Sequence, residues 1–486
     1  MAKDDTSFFG HPKSLATLFG VEMWERFSFY GVQAILVFYV TYTASQGGLG
    51  LDKGTATSLA GAYGGMVFLS TILFGWISDR LLGREKTLFY SAIIVVFGHL
   101  SMALLHGIFG LVIGLLLIAF GGGGVKASST SMVGTLYDKN DPRSDAGFSL
   151  YYFGINVGAF LGPLVTGALQ GVGFHYAFGA AAVGMALGLA QYTVGRKVFA
   201  EGTRKPSDPL TPEEASRAKT IAAVAIVVIA LLGWFTFSSP TRAAFAGENV
   251  STFIAVFSAI AAISIISMLL RTDKTTAEEK SRVVAFIPLL VSQVAFWALY
   301  QQIFTFLPLF TDERLNRKIF GWEFPAAWMN SVSAIYVMLL ALVFAGVWTK
   351  LGDKNPSTPV KFAFANFLIG VAYLLFLPVA NSGQNKVPLL LVLFILLLFC
   401  VAELCISPIG LSVATRLSPK RFVTMMVALY MLASSMGTAL SGTIAGYYNP
   451  TNEVPYFIGV GLTSIVVSAI IAGLVPFIKK KMAGIR

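Results

Sequence analysis

Charge is scarce in this chain. Asp, Glu, Lys and Arg make up 12% of its 486 residues, against about 25% in an ordinary soluble domain. The deficit runs along the whole chain, which excludes a water-facing globular surface of the usual kind. Cysteine is nearly absent as well. Cys400 and Cys405 share one apolar run and read as small buried residues, not as a disulfide or metal ligands. Histidine is rare, and no nucleophile–base constellation or metal-ligand spacing stands out. An enzyme is therefore not expected, and neither a cofactor nor a metal is implied.

What remains is apolar. Hydrophobic residues make up 56% of the sequence and mean hydropathy is +0.73. Runs such as "AIIVVFGHLSMALL" and "IAAVAIVVIALLGWF" follow one another with short polar breaks, each near the roughly 20 residues a helix needs to cross a bilayer. They are apolar on every face rather than alternating, so helices and not a closed barrel are expected. The fold class is an all-α polytopic membrane protein. Fourteen spans are expected, near 21–45, 55–77, 87–108, 110–135, 146–168, 174–195, 220–238, 249–270, 283–310, 327–349, 358–378, 387–412, 420–447 and 455–478.

The first 20 residues are polar and mixed in charge, so no cleavable signal is expected and the first span serves as its own insertion signal. The formal charge of +11 could suggest nucleic acid. With the N-terminus in the cytoplasm, however, roughly 27 of the 35 Lys and Arg fall in cytoplasmic segments, a positive-inside bias. The expected partner is the lipid bilayer, with no nucleic acid. Both termini are expected in the cytoplasm, and "KKKMAGIR" at the C-terminus fits.

A polar break, "RKVFAEGTRKPSDPLTPEEASRAK", follows the sixth span, and a shorter one, "RTDKTTAEEKSR", precedes residue 283. Two plain hydrophobic spans lie between them. Setting that pair aside leaves six spans and six spans, the 6+6 arrangement of the major facilitator fold, whose halves rock around a midplane site. The expected division is 1–195 and 283–486 as six-helix bundles, with 196–282 as linker and two extra helices. "GWISDRLLGREK", at 75–86, resembles the major facilitator loop motif through Gly75, Asp79, Arg80, Gly83 and Arg84. A worn copy, "GVWTKLGDKNPSTPVKF", lies at the matching point of the second half. Asp79 and the basic residues are expected to latch helix ends at the cytoplasmic side, with the glycines permitting a tight turn.

Only five charges fall deep within the expected spans: Glu22, Glu25, Arg26, Lys126 and Glu403. A charge at a helix centre costs at least about 2.5–3.5 kcal/mol, so such residues face a partner or a cavity. In "GVEMWERFSFYG", Glu22 and Glu25 are three apart, and Glu22 and Arg26 four apart, so all three can share one helix face. Two carboxylates and one guanidinium leave a negative charge that Lys126 can neutralise. A proton on one glutamate would release Lys126, which makes the group a proton switch. Glu403, in "CVAELCISPIG", lies in the opposite half, and Ser407 and Pro408 are expected to break its helix. Lys126 and Glu403 would give a central cavity a positive and a negative pole. A cargo bearing both an ammonium and a carboxylate suits them; an extended dipeptide separates its termini by roughly 7 Å.

These residues resemble the signatures of the proton-dependent oligopeptide transporters, a branch of the major facilitators. "ExxERF" (Glu22, Glu25, Arg26, Phe27), the segment 134–163 with Tyr151 and Asn156, and "ELCISPIGLS" from Glu403 carry the resemblance, which covers essentially the whole chain. It implies proton-driven import of di- and tripeptides by alternating access, in a multi-pass bacterial inner-membrane protein working as a monomer. It assigns Glu22, Glu25, Arg26 and Lys126 to proton coupling, and places the peptide carboxylate near Lys126 and its amine near Glu403. Tyr30, Asn156, Trp297 and Tyr300 would line the pocket. The chain departs from many members at Gln33 and Gln301, neutral where an arginine and a glutamate are common. Ser333 and Ala334 stand where an asparagine and a proline are frequent, and Phe29 and Phe68 where some relatives have tyrosines. These departures leave open another cargo: an amino-acid conjugate, another small zwitterion or an anion such as nitrate, although Glu403 argues against a purely anionic one. A non-transporting membrane receptor is a further alternative, against which the retained charges speak.

Three other signals are set aside. "FGGGGVKASS" lacks the Gly-Lys pair of a phosphate loop, and its glycines read as close helix packing. His99 and His106 are read as packing residues of the third span, and "TSFFG" as an interfacial anchor.

Overall fold

The computed structural model describes residues 6–137, 141, 143–351 and 354–484. These form helices α1 (Lys13–Thr41), α2 (Lys53–Ile77), α3 (Arg84–Leu104), α4 (Gly107–Gly134), α5 (Ser144–Gln170), α6 (Phe174–Gly195), α7 (Pro212–Phe237) and α8 (Pro240–Arg271). They continue with α9 (Ala277–Tyr300), α10 (Phe306–Arg314), α11 (Trp328–Leu351), α12 (Thr358–Leu374), α13 (Leu389–Arg416), α14 (Val423–Ala445) and α15 (Val454–Lys481). A small antiparallel hairpin, β1 (Lys318–Ile319) and β2 (Trp322–Glu323), follows α10. Its two-residue loop holds Phe320 and Gly321 at φ of 49° and 82°, the twist that tight hairpins need.

Among the described residues, 12 helical stretches are long and apolar enough to cross a bilayer. Charge-bearing α1, together with α11, completes the fourteen expected spans. A helix hydrogen-bonds its own backbone, which lipid cannot do for it. The apolar surface of α7 is consistent with lipid: Ile226, Ile229, Trp234 and Phe235 all lie more than half exposed. The chain is a multi-pass membrane protein with the major facilitator fold.

Three expectations change. Helix α1 starts at Lys13, well before residue 21, because Leu15 and Leu18 are wholly buried against Tyr137 and Tyr192. The ninth span is not one helix: α9 ends at Tyr300, a turn covers Gln301–Ile303, and α10 follows. Conversely, α13 runs unbroken through Ser407 and Pro408. The proline removes one backbone donor, while the Tyr430 hydroxyl donates to the Ser407 carbonyl at 3.3 Å.

The described chain forms two compact units, one of residues 1–32, 70–162 and 174–250, the other of 33–69, 163–173 and 251–486. Helices α1, α2, α5 and α8 each contribute to both. In the first unit, the glycine run of α4 sits against α2 and α3. A Cβ on Gly121 would lie 2.7 Å from the Ser91 carbonyl oxygen, and one on Gly123 would lie 2.6 Å from the Thr71 backbone nitrogen. Backbones this close leave no room for side chains, and nothing in the run is shaped as a phosphate loop. His99 is wholly buried. His106 lies beyond α3, at the start of α4, with its ring 4.4 Å from that of His175, so the two histidines do not share one helix. Phe8 packs on the core while Phe9 is exposed.

In the second unit, α9, α12 and α15 are tied by polar side chains. Asn366 donates to Ser292 Oγ at 2.9 Å, and Ser464 donates to the Asn366 carbonyl at 2.7 Å. Aromatic rings of α10, α15 and the turn after α14 close one end, with Phe306 4.8 Å from Tyr448 and 5.2 Å from Tyr456.

Candidate functional site

The first unit carries the acidic cluster of α1. Helical spacing puts Glu22, Glu25 and Arg26 together, and all three are buried. Arg26 Nε lies 3.2 Å from Glu22 Oε1 and 2.5 Å from Glu25 Oε2. The guanidinium also sits 5.2 Å from the Phe29 ring. A buried cation between two carboxylates offsets part of the desolvation cost of all three.

Helix α4 closes the cluster. Ser129 Oγ donates to Glu22 Oε2 at 2.6 Å and lies 2.7 Å from the Tyr151 hydroxyl on α5. One Glu22 oxygen thus faces Arg26 while the other is tied to a hydroxyl chain. Gly122 leaves room for Glu25, since a Cβ there would meet Glu25 Oε1 at 2.9 Å. Lys126, one turn along the same helix, is within Coulombic reach of Glu22, Glu25 and Arg26. Two carboxylates, one guanidinium and one ammonium sum to zero when all are ionised. Tyr30 is half-buried, with its ring edge-on to Phe29 at 5.0 Å. Asn156 is buried and donates to the Tyr152 carbonyl one turn earlier, at 2.9 Å.

The second unit carries the other charge. Tyr300 Oη on α9 donates to Glu403 Oε2 on α13 at 2.5 Å. Trp297, one turn before Tyr300, stands edge-on to it at 5.5 Å and lies 6.5 Å from Phe68. Its indole nitrogen is buried with no hydrogen-bond partner among the described residues. The Ser333 hydroxyl is likewise buried and without a partner there, while its carbonyl faces Cys400 Sγ at 3.6 Å. The free cysteines are both buried.

The two neutral departures meet in this unit. Gln301 Nε2 donates to Thr438 Oγ1 at 3.3 Å, and its oxygen is buried and unpaired among the described residues. Gln33 is buried beside Gly64: a Cβ on that glycine would lie 3.3 Å from Gln33 Nε2 and 2.6 Å from Thr438 Cγ2. The helix break after Tyr300 places Gln301 in a turn here, not on a helix face.

The loop motif of the first unit grips the linker and the start of α7. The chain leaves α2 in a wide turn closed by the Gly83 amide donating to the Ser78 carbonyl at 2.9 Å. Arg80 pairs with Asp208, and with Glu214 at 2.7 Å. Asp79 accepts from the Ser207 hydroxyl at 3.2 Å, and its carbonyl accepts from the Asp208 amide at 3.0 Å. The partner is thus the linker and the first turn of α7. Gly83 has φ of 82°, and a Cβ there would lie 2.6 Å from the Arg204 carbonyl carbon. Gly75 has open space where its Cβ would be, and Arg84 opens α3. In the second-half copy, residues 352–353 lie outside the described residues, as do 138–140 and 142 of the 134–163 segment.

Two buried charge clusters escaped the reading of spans. Glu85, wholly buried, takes Arg196 at 2.6 Å, and Arg196 lies 3.9 Å over the Phe89 ring. Glu453, also wholly buried, takes Arg314 at 2.9 Å, the Tyr448 hydroxyl at 2.5 Å and the Asn381 amide at 2.6 Å. Both acids sit in the first turn or at the cap of a helix, where the helix dipole favours them. That position was the available signal.

The chain is similar to known proteins over its whole length. Residues 85–482 match the POT family. The di-/tripeptide transporter of Lactococcus lactis subsp. cremoris is 36% identical, covering 100% of this chain and 99% of its own. A solved structure of a peptide transporter POT in complex with sulfate is 38% identical with a TM-score of 0.92, covering 98% and 97% of the two chains. A POT family transporter in complex with 5-aminolevulinic acid is 34% identical with a TM-score of 0.91, covering 98% of each. The fold, the first-helix cluster and these likenesses agree, and the chain belongs to the POT family.

Proposed function

We propose that this protein is a proton-coupled symporter that imports di- and tripeptides by alternating access. It is a transporter and not an enzyme, in keeping with its family. The observation that carries the reading is the buried Glu22–Arg26–Glu25 cluster beside Lys126, tied through Ser129 to Tyr151. A proton on either acid removes one negative charge from a group that is neutral as a whole, and Lys126 then becomes available to the carboxylate of a cargo. Glu403, with one oxygen held by Tyr300, offers the other to an ammonium. Trp297, Tyr300, Tyr30 and Asn156 supply apolar and polar lining, and Gln33, Gln301 and Ser333 keep it neutral. The Lactococcus relative, named a di-/tripeptide transporter, supports the cargo.

The bundles 1–195 and 283–486 are the halves that alternate, and 196–282 joins them. The protein works as a monomer in a bacterial inner membrane with both termini in the cytoplasm, an orientation that the clustering of Lys and Arg supports. The proton gradient is the drive and no cofactor takes part. At a membrane potential, one charge gains about 2.3 kcal/mol per 100 mV.

A second reading keeps the mechanism and changes the cargo to another small zwitterion. A relative bound to 5-aminolevulinic acid, which carries an amine and a carboxylate, favours it. Uptake of a labelled dipeptide into proteoliposomes, with and without an inward proton gradient, separates the readings. Gradient-dependent accumulation competed only by short peptides is expected. Competition by 5-aminolevulinic acid but not by peptides would select the second reading, and absence of coupled uptake by folded, inserted protein would defeat both.

A further inference from the structure

One cavity of the second unit takes no part in the site above. It has a volume of about 830 Å³ and lies among the start of α12, the end of α13 and the end of α15. Lys361, Arg416 and Lys479 line it, with no carboxylate among the described lining residues. Among the described residues, neither Arg416 nor Lys479 makes an ion pair or hydrogen bond through its side chain. Its size falls within the roughly 300–1,000 Å³ of ligand pockets.

A second observation points to an anion. Ser357 is the N-cap of α12, yet its hydroxyl makes no cap bond to the helix. That oxygen is buried and has no partner among the described residues, and Ser357 lines the cavity. A cap hydroxyl normally accepts a backbone N–H. Here the helix N-terminus keeps its partial positive charge, and the hydroxyl can donate into the cavity instead.

A third observation concerns place. Arg416 and Lys479 stand in the last turns of two strongly apolar helices, α13 and α15. Ile409 and Val413 give the same cavity an apolar wall. Basic charge above apolar wall is the profile of the headgroup region of a bilayer, where basic pockets between helices take up lipid headgroups.

We propose that this cavity binds a phosphate-bearing anion, and specifically the phosphate of an anionic phospholipid headgroup, held by Arg416, Lys479, Lys361 and the Ser357 hydroxyl. The full chain, in phosphatidylcholine nanodiscs doped with phosphatidylglycerol, is assayed by native mass spectrometry for retained lipid. Wild type is expected to retain phosphatidylglycerol in preference to phosphatidylcholine. Arg416→Gln with Lys479→Gln should lower that affinity about tenfold, whereas Lys480→Gln, a charge of the same terminal run outside the cavity lining, should change it less than about twofold. Ser412→Trp, which fills the cavity and leaves the charges in place, should also lose the lipid. Melting in pure phosphatidylcholine, matched to wild type, establishes that each variant is folded.

Equal retention by wild type and the folded double variant overturns the proposal. So does an equal drop in Lys480→Gln, which would mean bulk attraction to a basic tail. Inorganic phosphate binding in pure phosphatidylcholine, lost on the same two substitutions and unaccompanied by any preference for phosphatidylglycerol, would make the ligand a free anion and overturn the lipid assignment.

Discussion

The Tyr300 hydroxyl, at the last residue of α9, donates to Glu403 on α13 at 2.5 Å. One carboxylate oxygen is thereby fixed in direction just where α9 stops and turns. Among the described residues the other oxygen makes no hydrogen bond.

Glu403→Gln should raise KM for peptides with a free amine by roughly tenfold or more, since a hydrogen bond to a charged group is worth about 1.5–3 kcal/mol. Analogues that lack the amine should be spared. Competition assays with both sets decide the point, and equal losses would remove Glu403 from amine binding. Tyr300→Phe should produce a smaller loss of the same pattern, because it frees the carboxylate without discharging it.

Glu22→Gln or Glu25→Gln should abolish gradient-driven accumulation while leaving peptide exchange across proteoliposomes partly intact. Each substitution mimics one protonated acid in the Arg26 cluster. Full accumulation in either variant would show that the acid it replaces is only a helix lock.

Gln33→Arg alone should impair transport, and adding Gln301→Glu should recover a substantial part of it. Both glutamines lie around Gly64 and Thr438 in a buried setting, and removing one partner of a buried pair costs about 3–5 kcal/mol. Uptake by the single and double variants reads this directly. A double variant no better than the single would separate the two positions.

Gly83→Ala should lower stability by about 1–3 kcal/mol, the usual scale for forcing extra volume into a packed site. Its Cβ has to enter the linker backbone at Arg204–Lys205 from a left-handed φ of 82°. Thermal melting and proteolysis of the linker measure the effect. By contrast, Arg80→Ala removes pairs whose acids are largely exposed, Asp208 at 73% and Glu214 at 48%, so its cost should stay under about 1 kcal/mol.

Much of this was legible in one dimension because lipid is an undemanding solvent to read. A helix that must satisfy its own backbone and face hydrocarbon announces itself by length and composition, and the long helices fall on the expected runs. The i, i+3, i+4 spacing of Glu22, Glu25 and Arg26 was enough to predict their meeting. What was missed has a common cause. Glu85 and Glu453 stand at helix starts, where an acid usually faces water, and their burial comes from Arg196 and Arg314 more than a hundred residues away. The break after Tyr300 has no proline or glycine at the turn to mark it, while Pro408, an obvious marker, is absorbed within α13.

The sequence by itself determined the membrane-spanning helices, the first-helix cluster and the family, because each depends on local period and residue type. Only the tertiary structure decided that Ser129 and Tyr151 extend the Glu22 cluster, and that the loop motif grips the linker. It alone decided that Gln33 and Gln301 gather around Thr438, and that Tyr300 holds Glu403. Hydrogen bonds and ion pairs act over about 3 Å, and which groups come that close is set by how helices pack, which residue spacing along a single helix does not encode.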